Sequence, residues 1–288
     1  MGVARGGMTS LAESYRHCEA VTRVRAKNFY YAFVLLDRER RGAICAIYAF
    51  MRRCDDLSDE AGASIEALES WRGELRAALA GSPGADPLWP AFASTVRRYN
   101  IPARYFEEHL DGAGSDLTRT RMGTFEELYR YCYQVASIPG LSLVHVFGFR
   151  SDEALLLAEK CGIAFQLTNI LRDVGEDAGN GRVYLPAEDL ARYGVDPAGL
   201  AEGRETGRFR DLMRFEADRA REYYRESRPL LDLVDPKCRA SLWALIEIYS
   251  RLLGRIEASG FDVLSRRIRV PAVQKSWIVA RSFLGWTS

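Results

Sequence analysis

Histidine is scarce here, with three in 288 residues. The six cysteines, at positions 18, 45, 54, 132, 161 and 238, form no Cys-x-x-Cys pair and have no histidine cluster beside them. A zinc site, which draws closely spaced ligands from these two residue types, therefore has no candidate. Most of the cysteines lie inside apolar helical stretches, so they are expected to be buried free thiols, which suits a reducing compartment. The chain has no uninterrupted run of about 18 apolar residues to cross a bilayer. Residues 1–8 are Gly-rich and lack the apolar stretch of a signal peptide. Strand-like alternation with hairpin turns and βα repeats are both missing, which argues against a sheet protein. A net charge of +1 provides no field to recruit nucleic acid or an anionic membrane. The expectation is a cytoplasmic protein with no nucleic-acid partner. A peripheral contact with the inner face of the membrane and the oligomeric state stay open.

What is present is helical periodicity over an apolar share of 48%, enough for a sizeable core and too much for a disordered chain. Prolines at 83, 87, 90, 102, 139, 186, 197, 229, 236 and 271 leave long Pro-free intervals between them. The pattern predicts helices near 10–25, 38–58, 64–80, 88–99, 103–112, 124–148, 151–174, 206–227 and 237–264. Asp37, Ser64, Thr124 and Ser151 stand at N-cap positions, and Thr124 with Glu127 has capping-box spacing. Pro139-Gly140 predicts a kink or break inside the sixth helix. No fixed-period repeat and no composition shift divide the chain, so it reads as one all-α domain over 1–288, with 1–9 expected to be flexible.

Two acidic runs carry the chemistry. One is Asp55-Asp56-Leu57-Ser58-Asp59; the other is Asp173-Val174-Gly175-Glu176-Asp177. Each places two aspartates four positions apart at the end of an apolar helical stretch, on one face and about 40° apart around the axis. A single run of this kind is ordinarily a solvated helix end. The second helix changes that balance, because Gln166, Asn169, Asp173 and Asp177 repeat at spacings of three and four and form a polar stripe on an otherwise apolar helix. Such a stripe needs a polar cavity to face. Four carboxylates with oxygen-only ligation suit Mg²⁺, which takes one or two carboxylates plus substrate phosphates. Arg172 adjoins the stripe and can fork onto phosphate oxygens. Two such helices face to face would hold a diphosphate between metal ions and stabilise charge as a carbon–oxygen bond breaks. The resulting allylic cation needs a dry, aromatic-walled pocket.

These residues resemble the squalene and phytoene synthases, head-to-head isoprenoid synthases with the class I all-α terpenoid synthase fold. The likeness runs from about Ser14 to Arg269 in five blocks: Lys27 to Phe33, Tyr48 to Asp59, Tyr131 to Ser137, Gln166 to Asp177, and Arg182-Val183-Tyr184-Leu185-Pro186. It implies that Asp55, Asp59, Asp173 and Asp177 bind two or three Mg²⁺ and the diphosphate, helped by Asn169 and Gln166. Arg52 and Arg172 would grip diphosphate oxygens. Tyr48, Tyr131 and Tyr249 would line the reaction centre, with Tyr131 handling the proton lost on ring closure. Asn28, Phe29 and Phe33 would lie in the first substrate segment, and Arg182 and Tyr184 in a flap over the diphosphate. The family commonly shows serine where this chain has Asn28 or Tyr30, and Thr-Val-Gly where Ile138-Pro139-Gly140 stands. Without an apolar tail, the chain looks like a bacterial member.

Phe29 and Phe33 are one helical turn apart. As paired rings at a tunnel floor they favour C15 farnesyl diphosphate or presqualene diphosphate, on the route to squalene and hopanoids. Phytoene synthesis from C20 geranylgeranyl diphosphate is the alternative. A non-catalytic lipid-binding or assembly role fits poorly with four retained aspartates, and a chain-elongating prenyltransferase fits the tyrosine block poorly. NADPH, which squalene formation requires, is open but has no Gly-x-Gly-x-x-Gly loop to announce it.

Overall fold

A computed structural model describes residues 9–26, 29–59, 63–203 and 206–283. Among them the chain is helical, with two isolated bridges, Arg121 to Val183 and Phe149 to Val234, in place of strands. The helices are α1 (Leu11–Arg25), α2 (Tyr30–Phe33), α3 (Arg38–Asp59), α4 (Ile65–Leu79), α5 (Trp89–Arg98), α6 (Ala103–Thr118), α7 (Phe125–Cys132) and α8 (Ile138–Phe147). They continue as α9 (Glu153–Gly179), α10 (Ala187–Tyr193), α11 (Pro197–Ala201), α12 (Gly207–Ser227), α13 (Leu230–Leu233), α14 (Pro236–Ala258) and α15 (Ala272–Phe283).

Three expected caps are present. The Asp37 side chain accepts from the Arg40 N–H, Ser64 from Ala67 and Thr124 from Glu127. The Thr124 box is altered, because Glu127 accepts from the Gly123 N–H instead of closing onto Thr124. Ser151 is not the cap of α9. Asp152 precedes that helix and makes no side-chain cap bond.

The proline break takes a specific form. Between α7 and α8, residues Tyr133–Ser137 widen into a turn of π-helix. Pro139 has no N–H and its ring crowds the carbonyl four residues back, so the backbone there bonds at longer spacing.

The core is two apolar clusters. One gathers α1 to α6, α8 and the first half of α14; the other gathers α7, α10 to α12 and the last turns of α14. Helix α9 joins them: Ala154, Leu157, Ala158 and Cys161 belong to the first cluster, and Ile163, Leu167, Ile170, Leu171 and Val174 to the second. By length and composition α9 would pass for a membrane span. Its apolar positions instead pack against α8, α12, α14 and the π turn. All six cysteines are buried and free, and burial raises the thiols of Cys18 and Cys45 to about 12 and about 11.

Candidate active site

Between the two clusters lies a cavity of about 350 Å³, within the range of small-molecule sites. Helices α2, α3, α6, α7, α8, α9, α13 and α14 and the π turn wall it. Of the residues singled out in the sequence, Phe29, Phe33, Tyr48, Asp55, Tyr131, Gln166 and Asn169 all line it. Asp55 from the first acidic run and Asn169 from the second helix therefore face one hollow, which is the arrangement the sequence requires.

Asp173 and Asp177 of the second acidic run, and Arg52 and Arg172, are not among the residues that line the cavity. Asp177 has its carboxyl pushed up to about 7, first by burial and then by the charges of Asp173 and Glu176. Asp173 accepts from Arg172 Nε at 2.7 Å and from Arg267 Nη2 at 3.2 Å, while Arg267 Nη1 also reaches Glu176 at 2.6 Å. On α3, Arg52 pairs with Asp56 and stands 3.9 Å from Asp55, and Arg25 reaches Asp56 at 3.0 Å. Arg52 and Arg172 thus hold carboxylates at the positions where the sequence reading has them gripping phosphate. The amide oxygen Oδ1 of Asn169 is buried without a hydrogen-bond partner, and its amide nitrogen donates to Gln166 at 3.3 Å.

These features fit a magnesium–diphosphate group. An orphaned buried oxygen and a carboxyl raised by burial and by neighbouring like charges are both relieved by a divalent cation. Among the described residues no three acidic or imidazole side chains are gathered tightly enough to chelate an ion alone. That accords with Mg²⁺ completing its shell from substrate phosphates and water. Asn28 and the Asp59 side chain lie outside the described residues, as do residues 1–8.

Aromatic rings form one wall. Phe29 stacks on Phe33 at 6.3 Å and stands 6.4 Å from Tyr48 and 5.4 Å from Tyr249. Tyr249 in turn stacks on Phe165 at 4.4 Å. Tyr249 is behind the cavity surface, supporting two rings that line it. Burial raises the Tyr48 phenol to about 12, so its proton stays in place. The deep end is aliphatic, with Leu143, Val144, Leu242 and Leu245.

The flap residue Tyr184 stacks on Tyr131 at 5.1 Å. Both phenols donate to one carboxylate: Tyr184 to Asp116 Oδ1 at 2.9 Å, and Tyr131 to Asp116 Oδ2 at 3.1 Å. Asp177, Arg182 and Tyr184 border a separate small crevice.

Asp116, His109 and Arg267 escaped the sequence reading. The first two line the cavity from α6. The signal existed: His109, Ala113 and Asp116 fall at i, i+4 and i+7 of one helical face. Ending that helix at 112, before Gly114, hid it. Gly112 is there because a Cβ would stand 2.7 Å from the Cβ of Gln134, where α6 meets the π turn. Nothing local marks Arg267, whose partners are more than 90 positions earlier.

Comparison with known proteins follows the same lines. Residues 22–274 match the family model described as squalene/phytoene synthase. Curated relatives include the 15-cis-phytoene synthase of Synechococcus elongatus, 37% identical over 93% of this chain and 92% of that protein. The phytoene synthase of Mycobacterium bovis is 39% identical over 95% and 91%. Among solved structures, a dehydrosqualene synthase with bound ligand superposes with a TM-score of 0.90 at 30% identity, over 96% of this chain and 97% of that one. The squalene synthase HpnC of Alicyclobacillus acidocaldarius gives 0.82 at 28%, over 89% and 97%.

Proposed function

From the premise that the chain belongs to the squalene/phytoene synthase family, we propose that it joins two C20 geranylgeranyl diphosphates head to head to give 15-cis-phytoene. The observation that carries the chemistry is the single cavity onto which Asp55 and Asn169 open from two different helices, with aromatic and aliphatic walls beneath them. The choice of C20 rests on the relatives: proteins named phytoene synthase stand at 37–39% identity, and the squalene-type structures at 28–30%. This replaces the C15 preference taken from Phe29 and Phe33, and with it the hopanoid route.

Asp55, Asp173, Asp177 and Asn169 are the residues to hold magnesium. The bound ion supplies Lewis-acid neutralisation of the departing diphosphate. Arg52 and Arg172 supply guanidinium forks by exchanging their carboxylate partners for phosphate oxygens, which match the same geometry. Phe29, Phe165 and Tyr48 present ring faces to an allylic cation. The aliphatic floor excludes water that would capture it. Asp116 fixes the rotamers of Tyr131 and Tyr184, so the phenol of the central block is held over the cavity with its proton committed to the carboxylate. Phytoene formation includes no reduction, so NADPH enters only in a squalene-forming variant of this chemistry.

One observation favours C15 as the second reading: the Phe29–Phe33 stack occupies the wall where a longer tail would run. Incubating purified protein with Mg²⁺ and either C15 or C20 diphosphate, with and without NADPH, and identifying products by mass separates the two. The proposal expects a C40 hydrocarbon from C20 substrate without NADPH. Turnover of C15 alone would replace it with the second reading. Phe33→Ala is expected to raise use of C20 relative to C15 several-fold; an unchanged ratio would remove Phe33 as a length determinant.

A further inference from the structure

Helix α15 presents a surface that the chemistry above does not use. Its inward side is anchored. Ile278 and Ser282 are buried, Lys275 Nζ lies 5.3 Å over the Tyr31 ring, and the Arg281 guanidinium lies 5.8 Å over the Trp243 ring. Its outward side is Ala272, Val273, Ser276, Trp277 and Ala280, all exposed. Helical spacing puts these five on one face, and none is charged. Other outward faces are different: on α12 every exposed position after Gly207 is charged, from Arg208 to Arg225. Val273 is 80% exposed and Trp277 51%. Apolar residues scattered singly over a surface need no explanation. A valine and an indole one turn apart on an uncharged face form a patch.

The charge beside that face selects what covers it. The +1 of the whole chain conceals an uneven distribution: from Val263 to Phe283 the basic residues are Arg266, Arg267, Arg269, Lys275 and Arg281, and there is no acidic one. Arg266 and Arg267 are paired with Asp262, Asp173 and Glu176. Arg269 is exposed just before α15, and its carbonyl oxygen accepts from Arg255 Nε at 2.9 Å. That bond brings a second exposed guanidinium to the entry of the helix. Neither has an acidic partner among the described residues. An uncharged face carrying an indole, entered past two guanidiniums and with Arg281 one turn beyond Trp277, matches an anionic lipid surface. Ring and methyl groups enter the headgroup boundary, and the cations meet lipid phosphates. A second copy of this chain docked on the same face would bring like charges together.

We infer that the outward face of α15 seats the protein on an anionic lipid bilayer, with Val273 and Trp277 in the headgroup boundary. The location suits the cavity. Helix α15 packs on α2 and α14, and Phe33 of the first and Leu242 and Leu245 of the second line the hollow. One layer of helices therefore lies between the seated face and the apolar lining. Seating needs no substrate, so it stands apart from the proposed reaction. Where that reaction holds, seating puts the apolar lining beside the phase that takes up a C40 hydrocarbon.

The test is co-sedimentation of the full chain with vesicles of phosphatidylcholine alone and of phosphatidylcholine mixed with phosphatidylglycerol. It compares wild type with Trp277→Glu, Val273→Glu and Leu156→Glu. Leu156 is 64% exposed on α9, so its variant makes the same change of charge away from α15. All three positions are exposed, and each variant is expected to melt with wild type. Wild type should pellet with the mixed vesicles, less with phosphatidylcholine alone, and less again above about 0.15 M salt, where the Debye length falls below about 8 Å. Trp277→Glu and Val273→Glu should bind the mixed vesicles at least about fivefold more weakly, and Leu156→Glu within about twofold of wild type. No binding of wild type to the mixed vesicles would overturn the inference, and so would an equal loss in all three variants. A wild-type dimer in light scattering that Trp277→Glu dissociates would also overturn it, by assigning the face to a second copy. No substrate is present, so an enzyme inactive with both C15 and C20 diphosphates would end the proposed reaction without touching this result.

Discussion

Glu216 shows what a buried carboxyl does away from the cavity. It is 1% exposed on α12, and Arg219 Nη1 donates to it at 2.7 Å and to Asp189 at 3.0 Å. That guanidinium also sits 3.9 Å over the Phe125 ring, so one cation serves two carboxylates and a ring. Burial, only partly offset by Arg219 and reinforced by Asp189, raises Glu216 to about 8 from 4.5. Between those values the folded chain holds a proton that the unfolded chain has lost, so this group makes stability fall as pH rises across that window. Glu216→Gln removes the titration while keeping the shape. Its melting temperature should decline less steeply than wild type as pH rises from about 4.5 to about 8. Parallel curves for the two proteins would show that Glu216 is ionised throughout. At the same scale, polar residues that line the cavity were legible where residue type and spacing coincide, as at Asp55 and Asn169. Arg267 was not, because its partners Asp173 and Glu176 are distant in sequence, and Asp116 was hidden by ending its helix at 112.

Elements were read well where apolar period and capping agree. The bounds of α1, α3, α4, α5 and α12 fall within about two residues of expectation. Glycine misled in both directions. Helix α9 runs past 174 to Gly179 because Gly175 lets it approach the next segment: a Cβ there would stand 2.9 Å from the Val263 carbonyl oxygen. Conversely, α14 stops at Ala258, earlier than the apolar pattern suggests, because Gly260 and Phe261 turn the chain at φ of +70° and +64°. The short helices α2, α10, α11 and α13 have too few turns to show a period, and α15 also went unpredicted. Among the described glycines the tightest is Gly162 of α9 against the π turn, where a Cβ would lie 2.4 Å from the Ser137 Cα and 2.7 Å from its nitrogen. Gly162→Ala must therefore move backbone. It is expected to destabilise the fold by about 1–3 kcal/mol, measured by urea denaturation. A loss below about 0.5 kcal/mol would mean that the π turn shifts freely.

For the whole molecule, two apolar clusters share α9 and α14 and leave a hollow along their seam. Asp55 opens onto it from α3, Asp116 from α6 and Asn169 from α9, with Leu143, Val144, Leu242 and Leu245 in the same lining. The sequence indicated the helices and the acids. It did not indicate that α6 and the π turn close the third side, since that depends on Gly112 meeting Gln134 across 22 positions. The central claim is that the two acidic helices act as one site. Calorimetric titration of Mg²⁺ into wild type, Asp55→Asn, Asp177→Asn and the double variant, each with inorganic diphosphate present, tests it directly. The account predicts diphosphate-dependent Mg²⁺ binding in wild type, at least tenfold weaker in either single variant, with the double variant losing little more than the worse single, as groups acting as a unit do. Losses that simply add, or binding unchanged by either substitution, would contradict it.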